Sequence, residues 1–335
     1  MNPFTPHTLH VSAPGKLMLL GEHAVVHGRP CLVTAVDSRL HLSITLNDPV
    51  GNRFSISAPD VGVEHVEGMV ADAFAGGFAL APGTRFIESA LAVFHQWFPR
   101  EGSIHIETRS DFSSQLGLGS SSATVACTLF ALGKLFGLRL EPLQLFWLGL
   151  QAISQVQKLG SGFDLAAAIY GGTLFFSNPS PKEREIIPLN VPDLPLVVAY
   201  SGIKADTPTY VGRVAERMAN WPAVVARIFD AMERLVVMGR PALENAEWST
   251  FGQLMDIQHG LLHGLGVDTP ETARLVFAAR QAGAYGAKLS GAGGGDCVIV
   301  LTANDSRAEV EAALKAAGGQ IVQVAPNAPG VRLED

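Results

Sequence analysis

Gln115-Leu116-Gly117-Leu118-Gly119-Ser120-Ser121-Ser122-Ala123-Thr124 is the stretch whose reading decides the fold. Two glycines and three serines run directly into an apolar helical pattern, Val125 to Phe136, that stops at Gly137. A small-residue loop feeding a helix start leaves several backbone N–H groups unpaired. With the positive end of the helix dipole they form a seat for phosphate. Gly117 and Gly119 let the backbone come close to a ligand. Serine hydroxyls can cap the helix or reach a phosphate or Mg²⁺. By itself the stretch reads equally well as an ordinary capped helix after a flexible turn.

The surrounding chain narrows that choice. Of its 335 residues 47% are apolar and only 16% charged, a balance that supports a large core and argues against disorder. The length suits one large domain or two of ordinary size. A net charge of −7 argues against a nucleic-acid partner, whose surface would need clustered Lys and Arg. Phosphate must then be handled by a local site. Cys31, Cys127 and Cys297 lie far apart in apolar runs and read as buried thiols of a reducing compartment. Met1 to His10 lacks the basic and apolar regions of a signal peptide, and no apolar run approaches the roughly 18 residues of a membrane span. The expectation is a cytoplasmic protein with no membrane partner.

Leu9 to Ser12 reads as a short strand entering Ala13-Pro14-Gly15-Lys16, followed by Leu17 to Leu20 and then Gly21-Glu22-His23-Ala24-Val25-Val26-His27-Gly28. Leu40, Leu42, Ile44 and Leu46 alternate with polar residues, the pattern of a strand with one buried face. Residues 49–83 are rich in Gly, Pro and Ala and read as a variable loop region. Phe86, Ile87, Ala90, Leu91 and Phe94 form a helical stripe, and Ile104 and Ile106 mark a further strand. Pro142 opens a helix to about Lys158. Asn178 to Lys182 is the best candidate for a domain boundary. Beyond it come a strand from Pro195 to Tyr200, three or four helices, a glycine loop at 291–295, a strand from Asp296, a helix from Ser306 to Ala317 and a closing strand from Gln320 to Val324.

Three glycine-rich segments, 13–28, 115–124 and 290–296, thus punctuate strands and helices, which suggests loops converging on one anionic ligand. None is a Walker A loop, and Gly117-Leu118-Gly119 lacks the third glycine of a dinucleotide fingerprint. Pro14-Gly15-Lys16 with Gly21-Glu22-His23, then Gly117-Leu118-Gly119-Ser120-Ser121, then Ser290-Gly291-Ala292-Gly293-Gly294-Gly295 resemble, in order, the three motifs of the GHMP kinases. The resemblance spans nearly the whole chain. Within the family, Ser12 to Lys16, Gly21 to Gly28 and Gly286 to Gly293 are most similar to mevalonate kinases. Gln157 to Asp164 and Gly293-Gly294-Gly295-Asp296-Cys297 are more similar to phosphomevalonate kinases.

The resemblance implies a mixed α/β (α+β) fold of two lobes. An N-terminal ATP-binding domain would occupy residues 1–180 and a C-terminal, ferredoxin-like domain residues 181–335, with the active site in the cleft between them. It implies ATP-dependent phosphorylation of the primary hydroxyl of mevalonate, giving 5-phosphomevalonate and ADP, in isoprenoid precursor synthesis. Phosphomevalonate is the alternative acceptor, and a non-catalytic binding protein of the same fold is a third reading. Asp164 falls at the family's catalytic aspartate and Lys16 at the lysine that pairs with it. ATP would be held by Gly117, Leu118, Gly119, Ser120, Ser121 and Ser122 and by Gly291, Gly293 and Gly294, with Ser121 also binding Mg²⁺. Glu22, His23, Lys204 and Thr207 fall near positions that hold the acceptor. Ile153 stands where these kinases usually carry a second Mg²⁺ ligand, a glutamate. An acceptor with an extra phosphate would need further cations, for which Lys158, Lys204 and Arg29 are candidates. A homodimer is left open.

From the residues alone, Asp164 reads first as a helix N-cap before Leu165-Ala166-Ala167-Ala168, and Lys16 as a solvated lysine. The chemistry fits the other roles as well. Phosphoryl transfer needs positioning, charge neutralisation and a proton acceptor more than covalent catalysis.

Overall fold

A computed structural model describes residues 6–69, 82–113, 116–157, 160–180 and 183–334. The chain runs through β1 (His7–Leu20), β2 (Cys31–Asp48), β3 (Arg53–Ala58), β4 (Val63–Met69), α1 (Arg85–Trp97), β5 (Ser103–Ser110), α2 (Ser120–Leu135), α3 (Pro142–Val156), α4 (Phe163–Tyr170), β6 (Thr173–Ser177) and β7 (Glu185–Leu189). It continues through β8 (Leu196–Tyr200), α5 (Thr207–Asn220), α6 (Pro222–Glu244), α7 (Trp248–Gly264), α8 (Pro270–Gln281), β9 (Gly286–Ser290), β10 (Cys297–Leu301), α9 (Arg307–Ala316), β11 (Gln320–Val322) and β12 (Arg332–Leu333).

Two sheets organise it. The first has the path β12-β1-β2-β5-β3-β4, with β6 pairing β2 and β7 pairing β6. Helices α1 to α4 pack with it around one apolar core that includes Met18, Val33, Ile44, Ile106, Leu129 and Phe146. The second sheet has the order β11-β8-β10-β9, antiparallel throughout. With helices between β8 and β9 and between β10 and β11, this is the ferredoxin-like arrangement expected of the second lobe. Strands β7 and β12 lie beyond residue 180 yet belong to the first sheet. Pro181 and Lys182 of the candidate boundary lie outside the described residues.

The long strand β1 ties the lobes together. Its first residues are exposed, but every residue from Val11 to Leu20 is buried, because its second half is covered on both sides. Met18 enters the core of the first lobe. Leu17, Leu19 and Leu20 enter a second core shared with Val198, Phe251, Met255 and Ile299 of the other lobe. The Pro14-Gly15-Lys16 segment, read from its punctuation as a break, is therefore part of a continuous strand. Its pairing with β2 is offset between Pro14 and Gly15 and again between Met18 and Leu20. Such irregularities absorb the missing N–H of proline and re-aim side chains next to active sites.

The 49–83 region is a second correction, because it carries β3 and β4 rather than only loop. Phe54 and Ile56 alternate with Ser55 and Ser57 and pair in parallel with β5; so short an alternation is easily lost beside Gly and Pro. Residues 70–81 lie outside the described residues. Among the described residues, no helix is long and apolar enough to cross a membrane.

Candidate active site

Lys16 on β1 and Asp164 in the first turn of α4 meet at the start of α2. Lys16 Nζ lies 3.2 Å from Asp164 Oδ1 and donates to the Gly117 carbonyl at 3.1 Å. The Lys16 N–H donates to Leu118 O at 2.9 Å, so the lysine backbone and the glycine loop are bonded directly. The ammonium also lies 5.4 Å from the centre of the Phe163 ring. Gly119 makes this close approach feasible. It is the N-cap of α2 at φ 83, and a Cβ there would come within 3.2 Å of Lys16 Cγ and 3.7 Å of Asp164 Oδ1. Asp164 is not the cap of its own helix; that place belongs to Gly162 at φ 94. Apart from the lysine, the buried Asp164 Oδ1 has no hydrogen-bond partner among the described residues. The carboxylate is thus oriented by the lysine and keeps an oxygen with room for a further hydrogen bond.

The phosphate seat follows from helix geometry. The N–H groups of Ser122 and Ala123 turn back to Gly119 O. Those of Ser120 and Ser121 have no intrahelical acceptor and face outward with the dipole. Ser120 and Ser121 line a cavity of about 450 Å³ together with Thr124, Asp60, Phe86 and Arg109. Ser122 and Leu118 are buried, so Leu118 can offer a ligand only backbone. The cavity joins apolar wall to polar rim beside a helix start, a shape and chemistry suited to a nucleoside whose phosphates rest on α2. Its far residues, Asp60, Phe86 and Arg109, carry no motif and were not foreseen.

The third glycine loop closes the other side. Gly291 is open, with nothing near the position of a Cβ, whereas Gly293 and Gly294 are packed. A Cβ on Gly294 would lie 2.0 Å from Tyr210 on α5, and one on Gly293 would lie 2.2 Å from Val267 O. These two glycines are required by the packing of the loop itself. Lys204 and Thr207 lie in an exposed segment beside this loop, with Lys204 Nζ 3.8 Å from Asp296 Oδ1.

Glu22 and His23 are placed differently from a direct contact with the acceptor. Glu22 is 1% exposed and Lys288, its ion-pair partner on β9, is 0% exposed. Gln258 Nε2 donates to the second Glu22 oxygen at 3.1 Å. Both carboxylate oxygens are therefore engaged inside the seam between the lobes. Burial pushes the Glu22 carboxyl up and the Lys288 ammonium down, and each partner opposes the other's shift. His23, at φ 60, is bonded through Nε2 to Ala292 O at 2.9 Å, and burial holds its imidazole below the usual range. Met18 N–H donates to Ser290 Oγ at 3.0 Å in the same seam. Strand β1, which carries Lys16, is thereby fastened to the third glycine loop. Lys288 was missed as a structural residue; a lone lysine inside an otherwise apolar strand is the signal, since such a charge must be paired.

Of the candidate extra cations, Arg29 is engaged by Asp230 at 2.6 Å and Glu233 at 2.7 Å. Lys158 lies outside the described residues. Ile153 is buried in the core of the first lobe, so nothing at that position faces a ligand. Among the described residues, no group of three or more His, Cys, Asp or Glu could hold a metal. The donor set nevertheless fits Mg²⁺, which keeps several waters and takes one or two protein oxygens plus substrate phosphates. The Ser121 hydroxyl on the cavity wall is the protein oxygen in place.

Comparison with known proteins gives the family. Residues 85–172 match the GHMP kinases N terminal domain and residues 240–320 match GHMP kinases C terminal. A mevalonate kinase of Pyrococcus horikoshii is 34% identical, covering 97% of this chain and 97% of its own. A mevalonate kinase of Thermococcus sibiricus is 33% identical, covering 97% and 98%. Among solved structures, L. major mevalonate kinase in complex with R-mevalonate superposes with a TM-score of 0.76 at 25% identity, covering 95% of each chain. With a lysine–aspartate pair at the glycine-loop helix, both domains matched and relatives of this identity over nearly full length, the chain belongs to the GHMP kinase family.

Proposed function

We propose that the protein is an ATP-dependent mevalonate kinase. The observation that carries the reading is the Lys16–Asp164 pair set against Gly119 at the start of α2. A γ-phosphoryl group resting on the Ser120 and Ser121 N–H groups would lie beside the carboxylate. The acceptor's primary hydroxyl attacks the γ-phosphorus, the new O–P bond forms as the bond to the β-phosphate oxygen breaks, and ADP leaves. The hydroxyl proton passes to Asp164. Lys16, 3.2 Å from the carboxylate, orients it and stabilises negative charge growing on the attacking oxygen. Bound Mg²⁺, held by phosphate oxygens with Ser121, would supply charge neutralisation. The nucleoside would occupy the cavity lined by Asp60, Phe86 and Arg109. The reading places the enzyme in the cytoplasm.

The names of the relatives support mevalonate as the acceptor. The engagement of Arg29 by two carboxylates and of Lys204 by Asp296 supports an acceptor without an extra phosphate. The contact between Lys16 and Asp164 argues against a non-catalytic binding protein. The test is ADP release with mevalonate and phosphomevalonate side by side. Turnover with mevalonate at a kcat/KM at least tenfold higher is expected; a preference for phosphomevalonate overturns the assignment.

A further inference from the structure

Asp296 lies between the phosphate loop and the 201–207 segment, and neither phosphate seating nor proton transfer uses it. It ends the third glycine loop, is buried, and adopts φ 52, a left-handed conformation that a non-glycine residue rarely holds. Its backbone N–H donates to Ile203 O at 2.8 Å, and its carbonyl accepts from Ser201 N–H at 2.9 Å. Its Oδ1 accepts from Ala205 N–H at 2.9 Å and lies 3.8 Å from Lys204 Nζ. On the other side, Oδ2 comes so close to the phosphate loop that a Cβ on Gly117 would lie 2.4 Å from it. The adjoining Cys297 Sγ donates to Leu116 O at 3.3 Å.

This placement runs against simple expectation. A carboxylate pressed to a phosphate-binding loop repels a triphosphate. A left-handed backbone in a run of glycines could be had without strain by one more glycine. Strain and an unfavourable charge held at a functional site point to a task. The bonds name it, because among the described residues the polar contacts of the Asp296 side chain go to the 204–205 segment.

We propose that Asp296 is a positioning residue for the acceptor. Through Ala205 and Lys204 it fixes segment 201–207 against the phosphate loop, and so sets how the acceptor is held. The inference rests on the reading of this segment as the acceptor side of a kinase site.

Two substitutions separate the possibilities. Asp296→Gly fits the backbone angle but removes the anchor. Asp296→Asn keeps an oxygen for Ala205 N–H and removes only the charge. We expect Asp296→Gly to raise the KM for mevalonate about tenfold, with the KM for ATP within twofold and kcat within threefold. Asp296→Asn should raise the mevalonate KM less than threefold. Amides 203–207 should exchange hydrogen faster in Asp296→Gly and near the wild-type rate in Asp296→Asn. The proposal is overturned if the mevalonate KM is unchanged in Asp296→Gly, if the ATP KM rises as much, or if Asn is as harmful as Gly. Failure of the wild-type protein to turn over mevalonate would sink the functional reading instead, while exchange at 203–207 still tests the anchor.

Discussion

Removal of the Lys288 ammonium perturbs the seam between the lobes most sharply. Lys288 donates to Glu22, to Leu289 O at 2.6 Å and to Met18 O at 3.4 Å. In Lys288→Met the stem is nearly conserved, so the main change falls on Glu22. At 1% exposure its carboxyl is left with Gln258 alone and escapes by taking a proton. Holding that proton at pH 7 against an ordinary value of 4.5 costs about 3.4 kcal/mol. The two lost carbonyl bonds cost about 1 kcal/mol each, and the added apolar surface offsets a similar amount. The expected loss is therefore about 3–4 kcal/mol, within the range for breaking a buried pair.

The sign of the pH dependence follows. The folded variant binds a proton that the unfolded chain releases, so relative to wild type its stability rises as pH falls from 7 to 5, by about 1.4 kcal/mol per pH unit. Glu22→Gln combined with Lys288→Met strands no charge; it should return to within about 1 kcal/mol of wild type and lose that slope. Urea unfolding followed by tryptophan fluorescence at pH 5, 6 and 7 measures all three proteins. The reasoning fails if the single variant loses less than about 1 kcal/mol, if its deficit is equal at pH 5 and 7, or if the double variant is no more stable.

Three further outcomes are expected. Asp164→Asn should keep its fold and its ATP affinity while kcat drops about 10²–10⁴-fold, the usual worth of a positioned base; near-normal kcat would remove Asp164 from proton transfer. Gly119→Ala, at φ 83 and against Lys16 Cγ, should cost about 1–2 kcal/mol of stability and more than tenfold in kcat, and a silent substitution would show that the close approach is not needed. Burial pushes the His259 imidazole down to about 4, although Asp268 lies 3.6 Å away. Below 6.5 the unfolded chain takes up a proton that the folded protein refuses, so stability present above 6.5 is lost as pH falls toward 4, about 2 kcal/mol of it by pH 5. His259→Gln should lack this component in unfolding measured at pH 7 and 5; an equal loss in both proteins would discard the assignment.

The reach of the sequence is clearest in the glycine loops. Gly117 to Ser122 were legible because a helix start and its dipole are local properties, written in consecutive residues. Much of the strand–helix order of the second lobe was legible for the same reason, from period and caps, but the short strand β9 was not. The strands at 53–58 and 63–69 were not, because their burial depends on pairing with β5 and with each other, not on a long alternation.

The roles of single polar residues divide along the same line. Sequence by itself determined that Lys16, Asp164 and two glycine loops are present in a kinase-like order. Only the tertiary structure decided that Asp164 faces Lys16 and leaves the cap of α4 to Gly162, and that Glu22 is sealed against Lys288 instead of facing the cleft. Only it placed Asp296 between the phosphate loop and Lys204. The reason is physical. A side chain's charge, burial and hydrogen bonds are set by partners that, for these pairs, lie between 92 and 266 residues away in the chain, and no local pattern encodes a contact made at that distance.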